Sequence, residues 1–504
     1  MPLLLHIAAA CAFPIAELPQ RIRSILAQPA AANVSWGILI HSSQHGELFA
    51  LNANHSLVPA SNTKLLMASA ALLVLGSEYR FSTRSFLSTN SMSSPPSITS
   101  TSATMPPLAA CFQPSGDPSF SDAVLTTLVN ATAAALEPAQ RTSVTLELAL
   151  SDTGAVPSSW EYDDLNYDYG ALPGPTILNG NVFEVLITPG AKAGAPLVAT
   201  AIDTHDANVV SLSTSRSVTL DPAATSPLSP ELKYGLSELS GHLQLQLRGS
   251  MRVGDEPIHV TRAVLPPARL FAAHLVAAAN TVGLGAAGGA VSEVAGRCRA
   301  AATDRARQAS LGGDVDDGGP APLASVSSAP LLALLNHTLQ RSDNTYAEAL
   351  LRALNRTDSS VGGGLVTCRD SLLAAGVAMR GVQHVDGSGL SRHNLVPPAT
   401  FVSLLHAMAP TPLRTLLPVG GRSGTLKHRF VGTAAEGRVL AKTGTMGGVS
   451  GLSGYLLHED KGIGEVTFSL LGNDGLGYGG LLRPVQDAIV VAVANARAEK
   501  DKER

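Results

Sequence analysis

The chain has 504 residues, which is too long for a single hydrophobic core, so two or three domains are expected. Hydrophobic residues make up 45% and charged residues 15%, a balance typical of globular rather than disordered proteins. The formal net charge is -4 and no dense Lys/Arg cluster occurs, so nucleic acid is excluded as a predicted partner. Apolar runs are broken by Gly, Pro or polar residues, so no membrane-spanning helix is predicted.

Residues 1–16 are predicted to be a leader. A short apolar run followed by small residues is typical of a secretory signal, although the usual preceding positive charge is missing. The start is therefore either truncated or merely apolar. We predict an exported protein, periplasmic or secreted, with or without membrane association. A secretory or organellar location in a eukaryote stays open, because glycosylation sequons occur at Asn33, Asn54, Asn130, Asn336 and Asn355.

The first half of the chain predicts a helix followed by a β-rich insert. Residues 34–52 alternate around a turn, which predicts a β-hairpin, and residues 62–75 predict a helix. A Ser/Thr/Pro-rich stretch at 88–107 indicates a loop, and short strands separated by turns continue to about residue 262.

Helices and paired strands dominate the rest. Predicted helices cover 267–282 and 330–354, the second broken near 340–344; paired strands follow over 438–472, before a last helix at 481–500. We predict an α/β (α+β) fold, in which an antiparallel sheet flanked by helices forms one catalytic domain. Its two parts are residues 17–87 and 263–504, and the β-rich insert spans 88–262.

No metal, cofactor or disulfide framework is predicted. After Cys11 in the leader, Cys111, Cys298 and Cys368 are an odd number, far apart and without zinc spacing. The acidic run at 314–319 faintly resembles a calcium loop, but it lacks the terminal Glu, so a solvated linker is the better interpretation.

The first candidate catalytic motif is Ser61-Asn62-Thr63-Lys64. A serine hydroxyl needs a neighbouring base to become a nucleophile, and three-residue spacing at a helix start puts both side chains on one face. Lys64 must be neutral part of the time, and both burial and a nearby cation such as Lys442 would lower its pKa. The alternative is an ordinary capping serine beside a solvated lysine.

The second candidate motif is Ser342-Asp343-Asn344, at the break in the predicted helix. Ser342 could relay a proton to a departing amine, and Asn344 could hold Lys64 and a substrate amide. A plain turn or helix cap is the alternative.

The third candidate motif, Lys442-Thr443-Gly444-Thr445, follows a segment with the pattern of a β-strand. Lys442 and Thr443 would attract a carboxylate, and Gly444 would let a peptide backbone approach the strand edge. The amides of Ser61 and Thr445 could form an oxyanion hole. A surface strand is the alternative. However, the three motifs occur in the required order, at a helix start, a helix break and a strand, and this favours the catalytic interpretation.

With these motifs the chain resembles the serine D-alanyl-D-alanine carboxypeptidases and endopeptidases of the class C low-molecular-mass penicillin-binding proteins. The segments 386–392 and 440–446 look like family signatures, and the 281 positions from Ser61 to Ser342 match the family's long insert. The resemblance implies a transpeptidase-like domain, peptidoglycan stem peptides as substrate and β-lactams as covalent inhibitors. It does not decide between carboxypeptidase and endopeptidase activity, and the oligomeric state stays unknown.

The resemblance also implies a substrate side pocket, in which Asp164, Arg392 and Met446 would grip the diaminopimelate end of a stem peptide. An ordinary loop arginine is the alternative for Arg392. His384 and His393 are interpreted as structural. Two other functions remain open: a β-lactamase or esterase on the same scaffold, and a catalytically silent peptidoglycan-binding protein.

Overall fold

The structure, a computed structural model, describes residues 12–89, 108–150, 157, 159–206, 209–225, 227–234, 243–285, 289–296, 298, 321–355, 359–460, 462–475 and 482–498. Most of the predicted leader, most of the loop at 88–107 and the acidic run at 314–319 lie outside these residues. The chain divides into two compact units. The first contains the chain up to Tyr79, Pro157–Glu161 and everything from Pro330; the second contains Arg80–Val156 and Tyr162–Ala329.

The helices and strands of the described residues are numbered here in chain order. The α-helices are α1 (Leu18–Leu26), α2 (Lys64–Val74), α3 (Asp122–Ala135), α4 (Pro138–Arg141), α5 (Pro267–Thr281), α6 (Leu331–Arg341), α7 (Asn344–Ala353), α8 (Val361–Ala374), α9 (Pro398–Met408) and α10 (Arg483–Asn495). The strands are β1 (Phe13–Pro14), β2 (Ser35–Ser42), β3 (Gly46–Leu51), β4 (Ser82–Thr89), β5 (Leu108–Gln113), β6 (Thr145–Leu150), β7 (Val182–Thr188), β8 (Val198–Ala201), β9 (Val210–Leu220), β10 (Glu231–Tyr234), β11 (Leu243–Arg252), β12 (Ile258–Ala263), β13 (Val291–Ala295), β14 (Ala324–Ser327), β15 (Val439–Met446), β16 (Val449–Leu456), β17 (Val466–Asn473) and β18 (Ala496–Arg497).

The first unit is built on a five-stranded antiparallel sheet in the order β15-β16-β17-β2-β3. Its strands come from both ends of the chain, as the sequence predicts. Helices α1 and α10 share a hydrophobic core with the sheet, and α9 packs against β17. Helix α2 is buried from Lys64 to Ala71 and packs against α7 and α8. Lysine is almost never fully buried unless its charge is paired, so the burial of Lys64 indicates an unusual electrostatic environment.

The second unit contains three sheets, with strand orders β13-β6-β5-β4-β14, β10-β11-β9 and β12-β7-β8. Helices α3 and α5 pack together within its hydrophobic core. The predicted insert ended at residue 262, but the compact unit extends to Ala329. The reason is non-local pairing, because β13 joins β6 and β14 joins β4, so segments after residue 262 complete this sheet.

A disulfide joins Cys111 to Cys298 in the second unit, so the prediction of no disulfide was wrong. The two cysteines are 187 residues apart, yet their Cα atoms are 5.8 Å apart. Cys111 lies on β5, and Cys298 follows β13; both strands pair with β6, which brings the cysteines together. Cys368 is a free thiol in the first unit, and burial raises its pKa to about 12.

Candidate active site

Ser61 lies in a single 3-10 turn, Ala60–Thr63, that leads directly into α2. Ala60 just before it has a φ of 48°, so the turn begins in a left-handed conformation that non-glycine residues rarely adopt. Lys64 follows three residues later, and its Nζ donates a hydrogen bond of 3.0 Å to Ser61 Oγ. The predicted spacing of a nucleophile and a base at a helix start is therefore present in the structure.

The Lys64 ammonium is fully buried and hydrogen-bonded on three sides. Besides Ser61, it donates to Asn344 Oδ1 at 2.6 Å and to the Ser388 carbonyl at 2.6 Å. Burial lowers the pKa of Lys64 to about 8, although the nearby negative charges of Asp386 and Glu348 act in the opposite direction. With this pKa, about a tenth of Lys64 is neutral at pH 7 and about half at pH 8.

Ser342 and Asn344 occupy the junction of α6 and α7. Ser342 has a left-handed conformation (φ 62°), and Asp343 caps α7 by accepting a hydrogen bond of 3.1 Å from the Tyr346 amide. This cap allows the chain to turn sharply between the two helices, so Asn344 is the first residue of α7 and reaches Lys64. The helix break predicted at 340–344 thus positions both predicted side chains.

Lys442 lies on β15 and is also fully buried. Its Nζ donates to Ser342 Oγ and to its neighbour's carbonyl, Thr443 O, both at 2.8 Å. The pKa of Lys442 is well below its ordinary value, first because of burial and then because of the positive charge of Lys64. Burial is thus the largest cause of the lowered pKa of both lysines, and the charge of Lys64 adds to it for Lys442.

Strand β15 is the edge strand of its sheet, and its end packs against the turn that carries Ser61. A Cβ on Gly444 would lie 2.5 Å from the Pro59 carbonyl oxygen and 2.8 Å from Asn62 Nδ2. The sequence interpretation assigned this glycine to the approach of a substrate backbone. The structure adds a second reason, because the space beside Gly444 is filled by Pro59 and by the Ala60–Thr63 turn, named here the nucleophile turn after its candidate nucleophile Ser61.

The end of β15 carries two further predicted residues, Thr445 and Met446, both half-buried. Arg483, the first residue of α10, donates a hydrogen bond of 3.2 Å to Thr445 Oγ1. Thr443 Oγ1 donates to Thr425 Oγ1 at 2.7 Å. The outer edge of β15 is thus bordered by hydroxyl groups and by a cation that the sequence interpretation did not identify.

Asp386 organises the loop that follows it. Its carboxylate is fully buried and accepts hydrogen bonds from the amides of Gly389 (2.8 Å) and Ser391 (2.7 Å), from Asn394 Nδ2 (2.8 Å) and from Trp160 Nε1 (3.1 Å). Four donors on one carboxylate fix the loop, and this aims the Ser388 carbonyl at Lys64.

Glu348 is a second buried acid that the sequence interpretation missed. It lies four residues after Asn344 on α7, on the same helix face, and its Oε1 accepts a hydrogen bond of 2.7 Å from the Ser388 amide. Burial, and next the charge of Asp386, raises the pKa of Glu348 to about 7. The charge around Lys64 therefore changes in the same pH region in which Lys64 itself titrates.

Arg392 forms an ion pair with Glu161 (Nε to Oε1, 2.9 Å) and donates to the Gly447 carbonyl at 3.0 Å. Gly447 directly follows Met446, so Arg392 lies beside the end of β15. Asp164 belongs to the second unit, where Tyr169 donates a hydrogen bond of 3.2 Å to its Oδ1. Glu161 was not singled out from the sequence, although it lies three positions before Asp164.

In the parts of the chain that the structure describes, no helix is both long and apolar enough to span a membrane. Both ring nitrogens of His384 are buried, and burial lowers its pKa. Its structural role stays a prediction.

Comparison with known proteins gives consistent results. The model of the D-Ala-D-Ala carboxypeptidase 3 (S13) family matches residues 18–496. The D-alanyl-D-alanine carboxypeptidase of Actinomadura sp. (strain R39) is 32% identical, covering 95% of this chain and 85% of the relative. The penicillin-sensitive carboxypeptidase A of Dictyostelium discoideum is 27% identical, covering 90% and 86%.

Among solved structures, penicillin binding protein 4 from Haemophilus influenzae matches with a TM-score of 0.74 at 20% identity, covering 96% of this chain and 99% of that one. A second structure of the same protein, complexed with a β-lactam, matches with a TM-score of 0.66. These matches confirm the family, the fold class and the class of enzyme predicted from the motifs.

Proposed function

This chain belongs to the D-Ala-D-Ala carboxypeptidase 3 (S13) family, and we propose that it cleaves D-alanyl-D-alanine ends of peptidoglycan stem peptides by acyl transfer through Ser61. One observation carries the residue assignment. The Lys64 ammonium lies 3.0 Å from Ser61 Oγ, fully buried, with its pKa lowered to about 8. A buried amine of this kind can accept the serine proton. A solvated lysine, the alternative considered from the sequence, would instead stay protonated at neutral pH.

The proposed reaction has two halves. Ser61 Oγ attacks the carbonyl carbon of the penultimate D-Ala, and its proton passes to Lys64. The amides of Ser61 and Thr445 stabilise the resulting oxyanion. When the C–N bond breaks, the leaving D-Ala nitrogen receives a proton from Ser342, which Lys442 reprotonates across its 2.8 Å hydrogen bond. Water then attacks the carbonyl carbon of the acyl-enzyme ester and gives one proton to Lys442. The ester C–O bond breaks, Lys64 returns its proton to Ser61 Oγ, and the shortened peptide leaves with a new terminal carboxyl group.

The edge of β15 is the proposed binding surface for the peptide. An edge strand offers backbone donors and acceptors with which an extended substrate can pair, and Thr443 and Gly444 lie along this edge. Lys442, the hydroxyl of Thr443 and the guanidinium of Arg483 supply cationic and hydrogen-bonding groups that suit the terminal carboxylate of D-Ala.

Arg392 and Met446 are proposed to contact the side-chain end of the third stem-peptide residue, and the assignment of Asp164 to this contact stays a prediction from the sequence. The pairing of Glu161 with Arg392 supports a substrate end that carries both an ammonium and a carboxylate. Such a group could replace the existing ion pair with two new ones, one to each partner.

Export from the cytoplasm is proposed as well. The disulfide between Cys111 and Cys298 supports it, because structural disulfides form and persist mainly in oxidising compartments. Peptidoglycan, the proposed substrate, also lies outside the cytoplasmic membrane.

The decisive experiment follows the protein's intact mass after exposure to penicillin. We expect one covalent penicilloyl group on the wild-type protein and on Ser24→Ala, a control at an exposed helical serine, and none on Ser61→Ala. Release of D-Ala from a pentapeptide ending in D-Ala-D-Ala should be lost in the same variant, and a cross-linked muropeptide dimer measures endopeptidase activity. Rapid loss of the label would identify a β-lactamase, and no labelling would identify a catalytically silent protein.

A further inference from the structure

A cluster of histidines and aspartates lies in the second unit, among residues that the proposed reaction does not use. Asp203, His205 and Asp206 follow β8, His274 lies on α5, and Asp122 is the first residue of α3. His274 and Asp206 are almost fully buried, whereas the side chains of Asp203 and His205 are 42% and 44% exposed. The cluster is therefore anchored in the interior and open to solvent on one side.

Contacts within the cluster place three metal-type ligands together. One ligand atom each from Asp203, His205 and His274 all lie within 4.8 Å of one another. His205 Nδ1 is 2.9 Å from Asp203 Oδ1, and the two imidazole rings have centroids 5.3 Å apart. Ligand atoms around one tetrahedral zinc ion are about 3.3 Å apart, given bond lengths of about 2.0–2.1 Å. The separations in the cluster would therefore have to shorten by up to about 1.5 Å to enclose an ion.

His274 is oriented by carboxylates on both sides of its ring. Nδ1 is 2.8 Å from Asp122 Oδ1, and Nε2 is 3.0 Å from Asp206 Oδ1. The contact with Asp206 means that Nε2 faces the segment 203–206, which supplies the other two ligands. A carboxylate behind the outer nitrogen of a ligating histidine is the usual arrangement in zinc sites, because it fixes the ring and increases its basicity.

The simpler interpretation is an ion cluster held by a protonated His274. Burial opposes that charge, but the hydrogen bonds to Asp206 and Asp122 outweigh it and raise the pKa of His274 to about 9. Even so, the cluster holds three carboxylates and two imidazoles, a set of donors that suits a divalent cation. The paired imidazoles favour zinc-like ions over calcium or magnesium.

We propose that Asp203, His205 and His274 bind one divalent transition-metal ion of the zinc type, with water as the fourth ligand. Asp122 is a positioning residue that holds the His274 ring through Nδ1. Binding replaces the proton on His274 Nε2, which is released to solvent, and breaks the hydrogen bond to Asp206. The site differs from the acyl-transfer centre in residues and chemistry, so its test uses no catalytic readout.

The test titrates chelator-treated protein with zinc chloride in a calorimeter. We expect one equivalent to bind, and His205→Gln and Asp203→Asn each to weaken binding at least about 100-fold, since each removes a ligand. Asp122→Asn keeps a hydrogen-bond acceptor but not its charge, so a loss of about tenfold is expected. His259→Gln, at an exposed position on β12, and His406→Gln, beside His41 in the first unit, should change nothing.

Two further readouts keep the proposal falsifiable if a variant folds poorly. Titrations at pH 7 in buffers of different ionisation enthalpy should report release of about one proton per zinc ion. Cobalt-loaded wild-type protein should show the intense visible absorption of four-coordinate Co²⁺. The proposal is overturned by absence of binding, by a six-coordinate cobalt spectrum, by affinity that survives both His205→Gln and Asp203→Asn, or by affinity that disappears in His406→Gln.

Discussion

Lys64 sets the pH range of the proposed reaction at the scale of single residues. Only its neutral form can take the Ser61 proton, and burial lowers its pKa to about 8. The rate constant for acylation by a fluorescent penicillin should therefore rise with pH and reach half its final value near pH 8. Lys64→Arg should be slow at every pH, because a guanidinium does not deprotonate in proteins. A flat profile for the wild-type enzyme would exclude Lys64 as the base.

Glu348 offers an independent check on the same titration. Its negative charge raises the pKa of Lys64, so Glu348→Gln should move the rise of the pH profile to lower pH. Glutamine keeps an oxygen that can accept the hydrogen bond from the Ser388 amide, so the loop should stay in place. A profile shifted to higher pH, or not shifted at all, contradicts this electrostatic account.

Ser342 combines a strained backbone with a proposed catalytic hydroxyl, and two substitutions separate these properties. Ser342→Ala and Ser342→Gly both remove the acceptor of the Lys442 hydrogen bond, so both should acylate slowly. Glycine also relieves the left-handed conformation, so Ser342→Gly should be about 1 kcal/mol more stable than Ser342→Ala in urea unfolding. Equal stabilities would mean that the backbone at this position relaxes when the hydroxyl is removed.

At the scale of elements, the contact between β15 and the nucleophile turn determines whether the site is assembled. Gly444→Ala would force a Cβ to within 2.5 Å of the Pro59 carbonyl, so the strand or the turn must move. A displacement of about 1 Å costs on the order of 100-fold in rate, so acylation should fall by at least this factor. Stopped-flow penicillin labelling measures the change.

The matched control is Gly362→Ala in α8. A Cβ at Gly362 meets no atom within 4 Å, so acylation should be unchanged and stability should rise by up to about 1 kcal/mol. If Gly444→Ala labels as fast as Gly362→Ala, the close packing of β15 on the turn is not needed for the reaction.

Local patterns predict elements well, and they predicted the elements on which the three candidate motifs lie, namely a helix start, a helix break and a strand. Residue spacing places Lys64 beside Ser61 within one helix turn, and the break before Asn344 is marked by its capping acid. Glu161 was missed because its role depends on a pairing with Arg392, which is 231 positions away. The contact of Gly444 with the nucleophile turn was missed, because sequence alone does not show what fills the space beside a strand.

Across the whole chain, pairing between distant segments explains why the end of the insert and the disulfide were predicted wrongly from the sequence. The predicted insert ended where its run of short strands ends, near residue 262. Two later strands, β13 and β14, return to the same sheet, and only their pairing shows this. Cys111 and Cys298 meet for the same reason, so their spacing in the sequence carried no signal.

The disulfide is expected to contribute to the stability of the second unit. Cross-linking positions 187 residues apart restricts the unfolded chain, so loss of the bond should destabilise the second unit by about 2–5 kcal/mol. Cys298→Ala should therefore melt at a lower temperature than the wild-type protein. Reductant should lower the melting temperature of the wild type to that of the variant and leave the variant unchanged. Because Cys368 is buried and unpaired with the other two cysteines, it should react with thiol reagents only after unfolding. The bond does not form if reductant leaves the melting temperature of the wild-type protein unchanged and if Cys111 and Cys298 are both alkylated in the denatured protein without reductant.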